Sequence, residues 1–148
     1  MVSTEEGGMG GATERWWRTL PGRVDGAVQA DLLVGAMDEL TGSEDDFSGL
    51  LSRLASSGLG GEVRSWLGLD SNRRVSRRTI QAAVGDVTLE RIAARAGVDR
   101  RRAARGLAAS LPALTNHLAP HGELLSGDAL ASALATALDD LRRNQGAP

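Results

Sequence analysis

The chain has 148 residues, of which 41% are hydrophobic and 24% charged. That length and that ordinary globular balance suit one domain with one buried core. Cysteine and lysine are absent, all 17 basic residues are arginine and the formal net charge is −2. These absences exclude a disulfide framework, a thiolate nucleophile or metal site, a Walker-type phosphate loop and any lysine base or Schiff base.

With one Phe, no Tyr and three Trp, the core must be built from Leu, Ala, Val and Ile, a composition that favours helices over strands. Residues 1–23 read as a flexible N-terminal extension that carries Trp16 and Trp17 and breaks at Pro21-Gly22. The acidic, glycine-rich start is the reverse of a signal peptide. No apolar run approaches the roughly 20 residues that span a bilayer, so a cytoplasmic protein without a membrane partner is expected.

The main domain is expected at residues 24–143, with 144–148 as a tail. Its first amphipathic helix is predicted from Val24 to Leu40, ending at Thr41-Gly42-Ser43. The acidic run Glu44-Asp45-Asp46 then opens a second helix carrying Phe47, Leu50, Leu51 and Leu54, where negative charge suits the helix dipole. Gly58 to Gly61 break the chain before a short helix with Val63, Trp66 and Leu67 inward, and Asp70-Ser71-Asn72 has turn chemistry. Ser76 is an N-cap for a helix closed by Gly85, Asp86 is expected to cap the next, closed by Gly97, and Asp99 caps a longer one. Pro112 is expected to kink or restart that helix. The last helix is predicted over residues 127–143, with Leu130, Leu134, Leu138 and Leu141 on one face. The fold class is all-α.

Charge is unevenly distributed. Residues 1–70 hold five Arg against twelve acidic residues, or −7, whereas residues 71–120 hold ten Arg against three, or +7. Residues 121–148 add −2. Within the basic centre, the stretch Leu89 to Leu107 has the spacing of a helix-turn-helix: Ile92, Ala93 and Ala96 on the first helix, Gly97 at the turn, and Val98 as an apolar plug. The second helix would then present Asp99, Arg100, Arg101, Ala104 and Arg105 outward. The same spacing also describes an ordinary helical corner with solvated arginines.

No catalytic constellation, cofactor motif or metal-ligand set is found. His117 and His121 lie four apart, but Pro120 interrupts the register and Glu123 is the one further candidate ligand. There is no nucleophile elbow, and the glycine runs follow no predicted strand. Trp66 on an apolar stripe is expected in the core. Trp16 and Trp17 point about 100° apart on a helix, so one is expected inward and the other free to anchor a partner.

Between Gly58 and Leu124 the sequence resembles the YidB family of bacterial domains. The residues carrying the resemblance are Gly58-Leu59-Gly60, Val63, Ser65-Trp66-Leu67, Asn72, Val75-Ser76, Ile80, Ala83 and Val84-Gly85. They continue with Gly97-Val98, Leu111-Pro112, Leu118-Ala119-Pro120 and Gly122. With the flanking helices it covers residues 24–143. Two departures are Arg73-Arg74, where relatives tend to be polar and uncharged, and the arginine density at 100–105. The resemblance implies a compact all-α domain with a homeodomain-like arrangement over residues 77–110, and brings no catalytic residues with it.

Two functions fit these readings. The preferred one is a non-enzymatic protein-interaction or self-assembly module, a homo-oligomer or a binder of another protein, in which acidic and basic regions of different copies meet and Trp16 and Trp17 serve as anchors. The alternative is a DNA-binding protein. In either case the candidate face comprises Arg73, Arg74, Arg77, Arg78, Arg91, Arg95, Arg100, Arg101, Arg102 and Arg105. No small-molecule substrate is indicated. The direction in which these arginines point decides: a single exposed basic face keeps DNA binding open, whereas arginines buried against Asp and Glu of residues 25–46 make the centre a scaffold.

Overall fold

The computed structural model describes residues 16–20, 25–68 and 73–143, and every regular element among them is helical. Among the described residues a short 3-10 turn at Trp16–Thr19 is followed by seven α-helices, with a π-helical stretch at Ala55–Leu59 between the second and third. The α-helices are α1 (Gly26–Thr41), α2 (Phe47–Leu54), α3 (Gly60–Leu67), α4 (Arg77–Val84), α5 (Asp86–Ala96), α6 (Arg100–His117) and α7 (Gly127–Arg143). The predicted start of the first helix at Val24 and the Asp70–Asn72 turn lie outside the described residues.

Local chemistry accounts for most boundaries. Asp25 Oδ1 accepts from the amides of Ala27 and Val28 at 3.0 and 3.3 Å and starts α1, which ends where Gly42 turns left-handed at φ 86°. Asp46 caps α2 through the Gly49 amide at 2.8 Å. Ser76 caps α4 through Thr79, and Asp99 caps α6 through Arg102. Each supplies an acceptor to an amide that has no partner within its own helix.

Two boundaries differ from expectation. Asp86 does not cap α5; Gly85 stands at the cap position with φ 91°, and Asp86 is the first helical residue. A single residue both closes α4, donating its amide to the Gln81 carbonyl at 2.8 Å, and opens α5. A positive φ there leaves the position to glycine. Of the two outcomes expected at Pro112, a restart is not seen: α6 runs unbroken to His117. The missing amide removes one backbone bond, but Leu111 and Leu114 on either side are 1% and 0% exposed, and their packing holds the helix through it.

The core explains the arrangement. Helix α1 is buried around much of its circumference, as expected of a helix apolar on several sides. It packs against α5 and α7 most extensively and also against α2 and α6. Helices α4, α5 and α6 pack pairwise with one another into a three-helix unit. Trp66 is fully buried, and its indole donates to the Arg73 carbonyl at 2.8 Å. That bond, with the Arg73 amide donating to Ser65 Oγ at 2.9 Å, pins the segment leading into α4. In α7, Leu134, Leu138 and Leu141 are buried and Leu130 packs against the same core. The Trp16–Leu20 segment, read from sequence as part of a flexible extension, is built into the core: Trp16 is 5% and Leu20 7% exposed.

Candidate functional site

The α5–α6 corner has the predicted helix-turn-helix geometry. Gly97 closes α5 at φ 73°, and the Gly97 and Val98 amides donate to the Ala94 and Ala93 carbonyls at 3.2 and 3.0 Å. This is a Schellman-type closure that requires a residue tolerant of the left-handed region. Val98 is half-buried against the core.

The structure sorts the ten candidate arginines into two groups. Arg95 of α5 reaches across to the α1–α2 end of the molecule, its guanidinium 2.6 Å from Asp38 Oδ2 and 2.9 Å from Glu44 Oε2. The hydrogen bond from Asp38 raises its pKa, opposed by partial burial and reinforced by Glu44. Arg91 approaches Glu39 at 3.9 Å. Arg100 is shared between Glu90 at 3.2 Å and Asp86 at 3.9 Å. These three are committed to carboxylates of the same chain.

The other seven, Arg73, Arg74, Arg77, Arg78, Arg101, Arg102 and Arg105, form no ion pair with a carboxylate among the described residues. Six are exposed and Arg77 is half-buried. Arg77 donates to Gln81 Oε1 at 3.3 Å. Its pKa is lowered by desolvation and then by the neighbouring charges of Arg101, Arg78 and Arg105. Arg78 of α4 and Arg101 and Arg105 of α6 therefore all stand within electrostatic reach of Arg77. Both helix starts carry the positive end of the backbone dipole, the wrong sign for a cation. Repulsion and dipole act in the same direction, and both are relieved by an anion.

Helix α6 is not presented as a free recognition helix. Ala104, expected outward, is 0% exposed, as is Ala103. The reason is close packing against α1: a Cβ at Gly106 would lie 2.6 Å from Leu32 Cδ1 and 3.2 Å from Gln29 Nε2. At about 100° per residue, the buried positions from Ala103 to Thr115 occupy about half the circumference. The opposite stripe carries Arg101, Arg102 and Arg105, then Ala108, Ala109 and Pro112.

Neither tryptophan of the expected anchor pair stands free. Trp16 stacks on His117 with ring centroids 5.7 Å apart, and Trp17 is partly buried against the core. His117 is half-buried, which lowers its pKa, while Asp140 acts in the opposite sense. His121 is exposed. Asp38, Glu39 and Glu44 fall within residues 25–46, the acidic stretch that the sequence offers as a partner of the central arginines; the Arg95 pairs span 57 and 51 residues, and no local pattern marks which acids are used.

Comparison with known proteins follows this geometry. A family model described as YidB-like protein matches residues 1–127. An Escherichia coli (strain K12) protein, Uncharacterized protein YidB, is 34% identical over 76 residues. That match covers 51% of this chain and 58% of the relative, little more than half its length. A solved structure of a homeodomain-like protein of unknown function from Shigella flexneri superposes with a TM-score of 0.60 at 28% identity, covering 75% of this chain and 85% of that one.

Proposed function

Given that the chain belongs to the YidB-like protein family, we propose that it is a non-enzymatic binding module that holds a nucleic acid on the arginine face of α4 and α6. One observation carries this reading. Arg78, Arg101 and Arg105 lie within electrostatic reach of Arg77 across α4 and α6, and none of the four forms an ion pair with a carboxylate among the described residues. A polyanion supplies the missing charge, and each phosphate neutralised releases condensed counterions. Little else on the surface competes as a binding feature, since Val87 is the exposed large hydrophobic side chain among the described residues. Protein interfaces draw much of their energy from buried apolar and aromatic anchors; of the two named from the sequence, Trp16 is buried in the chain's own core and Trp17 packs partly against it.

The test is fluorescence anisotropy with a short labelled duplex. Neutralising about four phosphates gives a log–log salt slope near −3.6, and near −6 if Arg73, Arg74 and Arg102 join. Replacing Arg77, Arg78, Arg101 and Arg105 together by Gln should abolish binding while leaving the circular-dichroism spectrum unchanged. Absence of binding at micromolar protein in low salt ends this reading.

Self-assembly is the second reading. It is favoured by exposed acids elsewhere on the chain, among them Asp45, Asp128 and Asp139, which can meet the arginine face of another copy. Sedimentation in low salt separates the two: a monomer at all concentrations removes self-assembly, and a salt-sensitive oligomer lost in the four-arginine variant supports it.

A further inference from the structure

The composition of the arginine face narrows the class of nucleic acid. Single strands are held by aromatic side chains on which bases stack. All three Trp and the one Phe of this chain are accounted for: Trp16, Phe47 and Trp66 are buried, and Trp17 packs partly against the core. The face therefore offers no stacking platform, and its donors are guanidinium groups.

Base reading in a duplex groove uses several side chains that reach base edges together, Arg, Asn and Gln among them. The outer stripe of α6 gives three exposed arginines in its first turns and then the half-buried Ala108, Ala109 and Pro112, which offer no side-chain donor or acceptor. The next polar residue on the stripe, Asn116, has its amide directed to the carbonyls of Trp66 and Gly68 at 3.4 and 3.5 Å. Ala104, at a position where a reading side chain would stand, is buried. What remains is a shallow, two-helix arginine surface, extended by Arg73 and Arg74 on the pinned segment before α4.

We infer that this face takes double-stranded nucleic acid by its phosphate backbone, across the strands and not within a groove, with little discrimination between base sequences. The inference rests on the nucleic-acid reading above and adds the strandedness and the mode of contact. Backbone contacts fix orientation and carry no sequence information.

The experiment titrates the full chain against labelled DNA duplexes of equal length and contrasting sequence, one A·T-rich, one G·C-rich and one mixed, and against their separate strands. The expected result is duplex binding several-fold tighter than to either strand, with the three duplexes within about threefold of one another. Substituting Arg101→Gln or Arg105→Gln should then weaken all three duplexes equally and reduce the salt slope by about 1 per arginine. Single strands bound as tightly as duplex, or one duplex preferred by about tenfold or more with the preference lost in Arg101→Gln, overturns this inference and leaves the nucleic-acid reading standing. No binding to any of these probes overturns both.

Discussion

Arg95→Gln and Arg101→Gln remove one positive charge each from the same basic segment, yet they should act on different properties. Arg95 makes two charge-assisted hydrogen bonds, at 2.6 Å to Asp38 and 2.9 Å to Glu44, with side-chain exposures of 32%, 37% and 63% for the three groups. Water reaches all of them, so each pair is discounted to the range for exposed pairs, about 0.2–1 kcal/mol. Two pairs on one guanidinium then contribute about 0.4–2 kcal/mol. A domain of this size changes Tm by about 2–4 °C per kcal/mol, so Arg95→Gln should lower Tm by about 1–8 °C in low-salt buffer. The difference should shrink as salt approaches about 1 M, where the Debye length falls to about 3 Å. Arg101, which has no described carboxylate partner, should leave Tm nearly unchanged when replaced by Gln and weaken duplex binding instead. Differential scanning fluorimetry and anisotropy on the two variants give the comparison. If Arg95→Gln leaves Tm unmoved, or weakens duplex binding as much as Arg101→Gln does, the division of the arginines into scaffold and face is wrong.

Three further predictions follow from the same geometry. Asp99→Asn should retain the α6 cap, because Asn serves as well as Asp at that position, while removing a negative charge beside Arg101 and Arg102; anisotropy should show tighter duplex binding with Tm little changed. Gly106→Ala and Gly35→Ala should diverge. The new methyl at 106 meets Leu32 at 2.6 Å in a filled core, and overpacking of about 1–3 kcal/mol offsets or outweighs the helix-propensity gain of about 1 kcal/mol. At 35 the nearest atom is Ile92 Cγ2 at 3.5 Å, ordinary contact, so chemical denaturation should show stabilisation there. His117, whose pKa is lowered mainly by burial, favours the fold when neutral. Its contribution is complete above the unfolded value near 6.5 and is lost as pH falls from there through the lower folded value. The Tm advantage of wild type at neutral pH should therefore decline on acidification, and His117→Phe, which keeps a ring against Trp16, should flatten that dependence.

Much of the secondary structure could be read from the chain because its signals are local. Asp25, Asp46, Ser76 and Asp99 accept from amides two or three residues ahead, and Gly42, Gly85 and Gly97 stand where φ is positive. Exceptions arise where distant packing overrides a local rule, as at Pro112, or where one residue serves two helices, as at Gly85.

The sequence by itself determined the all-helical class, the YidB-like resemblance and the +7 centre set against a −7 N-terminal region. It did not determine which of those charges are satisfied. Ion pairing depends on side chains brought within a few ångströms from positions more than 50 residues apart, and only the packing of α5 against α1 makes Arg95 a clamp. Burial of Ala104 and the fate of Trp16 are decided in the same way, by neighbours that no periodicity names. Tertiary structure thus divided one composition feature in two: arginines paired with carboxylates of the fold, and arginines without an ion pair to a described carboxylate, on which the proposed nucleic-acid contact rests.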